Sequence, residues 1–249
     1  MTGASSGIGE ALAKHYADRG ATLCLIARRQ QELERLSGVL PGLTFSYPLD
    51  VTDAEGLKAA AADFIAKAGV PDLVIANAGI SVGTLTAEAG DQPVFERVLN
   101  VNVVGLFNTF QPFVAPMHAA GRGTLAGIAS VAGIRGLPGS GAYSASKAAA
   151  ITYLEALRGE LRGSGLKVVT VLPGYIETPM TAHNPYPMPF ILPADVAARR
   201  IARAIDSGTS YAVVPWQMAI VAKLLRLLPN RLFDAILSGR GRKPRIADL

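Results

Sequence analysis

The sequence predicts a doubly wound α/β fold, a parallel sheet covered by helices on both faces, and three observations carry that expectation. Six short apolar runs rich in β-branched residues, at 21–27, 43–49, 73–76, 124–129, 167–172 and 211–214, read as strands; the stretches around 8–19, 29–37, 53–67, 92–119, 143–162 and 194–206 have helical period. The two kinds alternate along the chain, which is the order of strand–helix–strand units in a parallel sheet. The strands are apolar at consecutive positions, so neither face is meant for water. At 249 residues, half of them hydrophobic, the chain suffices for one core over 1–249 and has no linker-like or low-complexity block to divide it.

Taken in order, the first element is truncated. The glycine-rich turn Gly3-Ala4-Ser5-Ser6-Gly7-Ile8-Gly9 opens the helix at 8–19, and such a turn normally follows a buried strand, yet only Met1 and Thr2 precede it. Either the chain starts upstream of Met1 or the sheet tolerates a gap; the cost of unpaired backbone in a buried sheet favours the first. Further on, Thr52 and Glu55 have the Thr-x-x-Glu spacing of a capping box for the 53–67 helix, and Pro193 before Ala194-Asp195 starts the 194–206 helix. The segment 179–193, with Pro185, Pro187, Pro189 and Pro193 beside Tyr186, Met188 and Phe190, predicts an apolar substrate mouth. In the apolar stretch 216–237, Met218, Val221, Leu225 and Leu228 share one helical face and Lys223 with Arg226 another. That pattern suits a substrate-side lid, a subunit interface or a membrane-surface helix; Lys223, Arg226 and Pro229 interrupt it too often for a membrane span.

Charge is unevenly placed. Residues 1–215 hold 17 Lys/Arg and 17 Asp/Glu, whereas the extension 216–249 holds 7 against Asp234 and Asp248, so it carries the whole net charge of +5. A basic tail behind an apolar helix suits an anionic lipid surface, and without interleaved aromatics it argues against nucleic acid. Disorder is expected only in about the last ten residues. Cys24, alone in an apolar run, excludes an internal disulfide and a Cys-rich metal site, and no His, Asp and Glu cluster has ligand spacing, so no metal is expected. His15 and His118 fall within helices and His183 in the substrate-side segment, none with a catalytic partner. With no signal stretch and no 18 uninterrupted apolar residues, the expected location is cytoplasmic, with peripheral membrane contact through 216–245 left open.

The chemistry is read from two places. In the glycine turn the backbone must approach a pyrophosphate closely, and the helix that follows offers free N–H groups and a partial positive charge. At the end of the 21–27 strand stands Ala27-Arg28-Arg29 with no carboxylate. Dinucleotide folds place there a carboxylate for a free 2′-hydroxyl or a cation for a 2′-phosphate, so Arg28, with Ser5 or Ser6 nearby, favours NADP(H), NAD(H) being the alternative. Tyr143 and Lys147, four apart on a helix, share one face, where an ammonium would lower the titration of the phenol toward neutrality. Ser130 ends the strand before that helix, at the sheet edge where ligands of open α/β folds sit, and its hydroxyl would hydrogen-bond an oxygen on which charge develops.

These residues together resemble the short-chain dehydrogenase/reductase family, in its single-domain Rossmann-type branch. The resemblance covers roughly residues 2–205. It rests on Thr2 with the glycine turn, Asp50-Val51, Asn77-Ala78-Gly79, Asn102 in Val101-Asn102-Val103-Val104-Gly105, Ser130, Tyr143 with Lys147, and Pro173-Gly174-Tyr175-Ile176-Glu177-Thr178, all in the family's order. It implies an NADP(H)-dependent oxidoreductase that interconverts a carbonyl and an alcohol, here on a lipophilic small molecule. Tyr143 would be the acid/base, Lys147 would also bind the nicotinamide ribose, Ser130 would polarise the carbonyl and Asn102 would hold a relay water. Gly3, Ser5, Ser6, Gly7, Ile8, Gly9 and Arg28 would hold the phosphates. Asp50 and Val51 would flank the adenine, Asn77, Ala78 and Gly79 would line the cofactor floor, and Pro173, Gly174, Ile176 and Thr178 would complete the nicotinamide end. The family commonly pairs subunits, as dimers or tetramers, through the helices that here are 143–162 and 194–206. Two competing readings are a dinucleotide-binding sensor, which has no use for a tuned phenol, and an epimerase or dehydratase, for whose separate substrate domain no residues remain.

Overall fold

Six strands run parallel at the centre of the chain, in a computed structural model that describes residues 1–239 and 241–245. In chain order the elements are α1 (Gly7–Ala17), β1 (Leu23–Ala27), α2 (Gln30–Ser37), β2 (Thr44–Pro48), α3 (Ala54–Ala68), β3 (Leu73–Ala76), α4 (Gln92–Leu99), α5 (Gly105–Ala120), β4 (Gly123–Ile128), α6 (Gly141–Glu160) and β5 (Leu166–Pro173). There follow the two-residue strands β6 (Ile176–Glu177) and β7 (Leu192–Pro193), then α7 (Ala194–Ser207), β8 (Tyr211–Val214), α8 (Gln217–Leu227) and α9 (Asn230–Leu237). All six predicted strands are present to within two residues, and β7 leads through Pro193 into α7 as its sequence implied.

Strands β3, β4, β5 and β8 are hydrogen-bonded in that order, and β1 pairs with β2. Between the two groups lie Met1 and Thr2. The Thr2 amide donates to the Ile75 carbonyl at 3.0 Å and the Ile26 amide donates to the Met1 carbonyl at 2.9 Å. Beside them β1 and β3 are not paired with each other and border a cavity of about 570 Å³. The Met1 ammonium is buried there against the Cys24 carbonyl, and burial pushes its pKa down.

Consecutive strand residues feed opposite cores, which is why the strands had to be apolar on both faces. Leu25, Ile75, Ala126, Val169 and Val171 pack against Leu12 and Tyr16 of α1, Leu33 and Leu36 of α2 and Ile201 and Ile205 of α7. Val74, Leu125, Val168 and Leu172 pack on the other face against Phe64 of α3, Phe110 and Met117 of α5 and Leu154 of α6. The expected helix at 92–119 is divided by a π-helical turn, Asn100–Val104, between α4 and α5. The run from Ala89 to Ala120 is long and apolar enough by length and composition to cross a membrane, and in this fold it buries Leu106, Phe110, Phe113 and Met117 against the sheet.

Two expectations fail. The cap of α3 is Asp53, whose carboxylate accepts from the Gly56 amide at 2.9 Å, while the Thr52 hydroxyl turns to Asp50 at 3.0 Å. A carboxylate at the helix N-terminus is the stronger acceptor and also answers the helix dipole, so it displaces the hydroxyl one residue earlier. The tail is also not wholly disordered. Lys243 donates to the Met180 carbonyl at 2.9 Å and to Asn184 Oδ1 at 2.7 Å, and Arg245 pairs with Asp91 at 2.9 Å and Glu88 at 3.3 Å. The remaining expected disorder, at 246–249, and the charges of Arg240 and Asp248 lie outside the described residues.

Phe110 is fully buried between α5 and the sheet. Phe110→Ala is expected to lower stability by roughly 3–5 kcal/mol, through lost burial and the cavity it leaves; the shift in urea midpoint at constant slope measures it.

Candidate active site

The C-terminal ends of the strands converge on one edge, and each delivers a predicted residue to it. Beyond β1 come Arg28 and Arg29, beyond β2 Asp50 and Val51, and beyond β3 Asn77, Ala78 and Gly79; Ser130 lies beyond β4, and Gly174 follows Pro173, the last residue of β5. Together with Gly3, Ser5, Ser6, Gly7, Ile8, Tyr143, Lys147, Ile176 and Thr178 they line a single cleft of about 300 Å³. Of the predicted site residues only Gly9 and Asn102 do not line it, and both stand directly behind its wall.

The glycine turn is locked to β3 by short polar side chains. The Asn77 amide side chain donates to the carbonyls of Thr2 and Gly3 at 3.1 and 3.2 Å, and the Thr2 hydroxyl accepts from the Asn77 and Ala78 amides at 3.2 and 3.3 Å. Glycine is required by space as well as by conformation. Gly3 has φ +66° and a Cβ on it would lie 2.8 Å from Ala78 Cα; one on Gly9 would lie 2.1 Å from the Gly3 carbonyl oxygen. Helix α1 begins at Gly7, and Ser6 before it makes no side-chain cap, so the first N–H groups of the helix face the cleft unclaimed by a cap. That donor set fits an anion such as a pyrophosphate.

The cations at the end of β1 are arranged differently from expectation. Arg29, not Arg28, meets Ser5: its guanidinium donates to the Ser5 hydroxyl at 3.1 Å and carbonyl at 3.2 Å. Arg28 lies 3.8 Å from the Asp50 carboxylate, and both side chains are well exposed. The sequence could not separate the two arginines, because which one turns toward the turn depends on how α2 leaves the strand. Both line the cleft.

At the other end of the cleft, Tyr143 and Lys147 project from one face of α6. The Lys147 ammonium is buried and donates to the Ile128 carbonyl at 2.8 Å, 5.9 Å from the centre of the Tyr143 ring. Burial pushes its pKa down to about 8. Burial also raises the Tyr143 phenol, with the neighbouring Ser130 hydroxyl pulling weakly the other way. The expected lowering of the phenol by the ammonium is therefore not realised here, because desolvation outweighs a charge turned toward a backbone carbonyl. The Ser130 hydroxyl is held by the Ala132 amide at 3.2 Å.

Asn102 sits in the π-helical turn, where its carboxamide accepts from the Ile80 amide at 2.8 Å and donates to the Ile80 carbonyl and Ser146 hydroxyl, each at 2.9 Å. Its Oδ1 and Lys147 Nζ approach the bare Cα of Gly79, where a Cβ would meet them at 3.2 and 3.4 Å.

A second pocket, of about 210 Å³, opens on the far side of Tyr143 and shares Ser130, Tyr143, Gly174, Met180 and Thr181 with the cleft. Tyr186, Pro187 and Pro189 of the proline-rich loop and Met218, Val221 and Leu225 of α8 form apolar walls. His183 is exposed and does not line it. Local sequence did not mark the contacts of three residues around it. Arg135 donates to the carbonyls of Leu225 and Leu228 and stacks on Phe233 at 3.8 Å, Lys243 lines the pocket and ties the tail to Met180 and Asn184, and Arg245, outside the lining, ties it to Asp91 and Glu88. Their partners are 59 to 157 residues away, so no spacing pattern exists to find them. Among the described residues no group of His, Cys, Asp and Glu could hold a metal ion.

The short chain dehydrogenase family matches residues 1–187. An uncharacterized oxidoreductase of Myxococcus xanthus is 38% identical over 238 residues, 94% of each chain. A short chain dehydrogenase from Burkholderia cenocepacia, solved in complex with NADP, superimposes with a TM-score of 0.81 at 27% identity, over 95% of this chain and 94% of that one. A 3-ketoacyl-(acyl-carrier-protein) reductase from Brucella melitensis, solved with NADH, gives 0.78 at 26% identity, over 86% and 94%. With a strand-edge cleft that fits a dinucleotide and a Tyr–Lys pair at its end, the chain belongs to the short-chain dehydrogenase/reductase family, and it is an NAD(P)-dependent oxidoreductase.

Proposed function

We propose that this enzyme interconverts a carbonyl and an alcohol on a lipophilic small molecule, with NADP(H) preferred over NAD(H). One observation carries the reading: the dinucleotide cleft and the apolar pocket meet only along a short seam, and Ser130 and Tyr143 stand on it. A group bound in each would face the other across a phenol and a hydroxyl. The nicotinamide, when bound, supplies or accepts the hydride. The protein holds the substrate oxygen and moves its proton.

Ser130 donates to the substrate oxygen as negative charge grows on it. Tyr143, kept protonated by burial, hands its proton to that oxygen during reduction and is left as the phenolate, the form that takes the alcohol's proton in the reverse direction. Lys147, anchored to the Ile128 carbonyl, keeps a positive charge beside the phenol and within reach of a nicotinamide ribose. Asn102 orders the Ile80 backbone next to Lys147 and gives a relay water its place. Gly3, Ser5, Ser6, Gly7, Ile8 and Gly9 cradle the pyrophosphate; Asp50 and Val51 flank the adenine; Asn77, Ala78 and Gly79 form the floor; and Pro173, Gly174, Ile176 and Thr178 close on the nicotinamide. Arg28 is the 2′-phosphate group's partner, since its ionic contact among the described residues, with Asp50, is long and exposed. The reaction takes place within one domain over 1–249, in a cytoplasmic dimer or tetramer paired through α6 and α7.

Tyr143→Phe is expected to abolish turnover, by about 10²–10⁴-fold or more, while NADPH binding changes only a fewfold. Steady-state reduction of a carbonyl panel beside NADPH titration measures both, and near-normal turnover would refute the proton role. Arg28→Ala should weaken NADPH by roughly 1.5–3 kcal/mol, as for a hydrogen-bonded charged group, and NADH hardly at all; equal losses by calorimetry would remove the 2′-phosphate assignment.

Lys147 gives a pH dependence of stability. Its pKa of about 8 in the fold lies below the usual 10.5, so the unfolded chain holds the extra proton between these values and stability from this group rises with pH across that window. The gain is on the order of 3 kcal/mol. Urea midpoints of the cofactor-free protein from about pH 8 upward should show it against Lys147→Met, which lacks it.

A further inference from the structure

Helix α8 has two apolar faces, and only one of them is used inside the molecule. Met218, Val221, Ala222 and Leu225 point inward and line the substrate pocket. On the opposite side Trp216, Ile220, Leu224 and Leu227 recur at spacings of four, four and three, which brings them onto one stripe of a helix. Helix α9 repeats the arrangement over its shorter length, with Phe233 and Leu237 buried and Leu232 and Ile236 outside. These six outer side chains are between 42% and 80% exposed, among the largest apolar groups the chain leaves in water. Arg135 fixes the two helices together, bonding the last turn of α8 and Asn230 at the start of α9.

An apolar face of this kind requires a partner. Its charge decides which. Lys223, Arg226 and Arg231 are exposed beside the stripe, Arg242 follows in the tail, and Asp234 is the one carboxylate among the described residues of 216–245. A twofold interface would set this basic surface against a copy of itself, placing like charges opposite one another as apolar area is buried. A surface of anionic lipid answers the same charges with opposite ones, and each cation near such a surface gains roughly a fivefold in partitioning. Trp216 at one end of the stripe has the amphipathic ring that settles at a headgroup boundary.

We propose that the outer face of α8 and α9 docks the enzyme on an anionic membrane surface, lying in the interface and not crossing it. The inner face of the same helix walls the substrate pocket, so a lipophilic substrate dissolved in that surface would meet the enzyme at the pocket wall. The docking stands on surface geometry and charge; only this last step rests on the carbonyl-reducing reading.

Cosedimentation of the full chain with vesicles tests it, without cofactor or substrate. The protein should pellet with vesicles of phosphatidylcholine mixed with phosphatidylglycerol, at least about tenfold less with phosphatidylcholine alone, and less as salt screens the charges. Leu224→Asp with Leu227→Asp should abolish pelleting, and Lys223→Glu with Arg231→Glu should remove its dependence on phosphatidylglycerol. Both variants should reduce a water-soluble carbonyl at the unaltered rate. That readout separates failure of the docking from failure of the reaction assignment. The proposal is overturned if the unmodified protein stays in solution with both vesicle types at low salt, or if it pellets equally with both. It is also overturned if light scattering shows that Leu224→Asp with Leu227→Asp splits an oligomer whose unmodified form does not pellet, because the face is then a contact between copies.

Discussion

At the crossing of the glycine turn over the end of β3 there is no room for a side chain, and the rest of the site is arranged around that contact. Gly9 lies under the Gly3 carbonyl, Gly3 lies against the Ala78 backbone, and the Asn77 carboxamide spans the remaining gap with two donors to turn carbonyls. Because the turn is pinned to β3, the N-terminus of α1 stops beside the strand edge with its amides directed into the cleft. The same pin sets the level of Gly79, whose missing side chain lets Lys147 and Asn102 approach from behind. A methyl group at this crossing would push the turn off β3 and separate the two ends of the cleft.

The second constraint is electrostatic, and burial governs it. A phenol and an ammonium one helical turn apart invite the expectation that opposite charges stabilise each other. That expectation weighs the Coulomb attraction and leaves out the solvent each group has lost. With the ammonium bonded to the Ile128 carbonyl, desolvation dominates both groups: it raises the phenol and lowers the amine. Both shifts favour neutral forms, so on the proposed reading the phenol enters the reaction protonated. This is the protonation state that reduction of a carbonyl needs from its proton donor.

How much of this was legible in the sequence depended on how far apart in the chain the interacting residues lie. The strands and the cleft residues were readable because each rests on a local pattern: consecutive apolar positions for β4 and β5, glycine spacing for the turn into α1, and a four-residue interval for Tyr143 and Lys147. Choices among near neighbours were harder. Thr52 and Asp53 both have the chemistry of a cap, and Arg28 and Arg29 both have that of a phosphate ligand; the backbone path decided between the members of each pair for the observed contacts. Contacts of the tail were out of reach. Nothing near Arg245 indicates Asp91, and nothing near Arg135 indicates the carbonyls ending α8.

That division has a physical meaning for the two halves of the site. The cleft is built from the ends of hydrogen-bonded strands and from a turn pinned to β3, so its geometry is fixed largely by the same bonds that fix the core. The pocket is built from the 131–138 turn, the proline-rich loop, α8 and the tail, which are held to one another by a few long side chains. Arg135 and Lys243 donate mostly to backbone carbonyls, and Arg245 pairs with the buried Asp91 and the exposed Glu88. Such ties are few and far apart, and segments joined this way open more readily than a sheet does. On the proposed reading the chemistry therefore sits on the half held by the sheet and the choice of substrate on the other. A change in the loop or in the inner face of α8 would then alter which carbonyl compound is accepted and leave the Ser130–Tyr143–Lys147 geometry as it is.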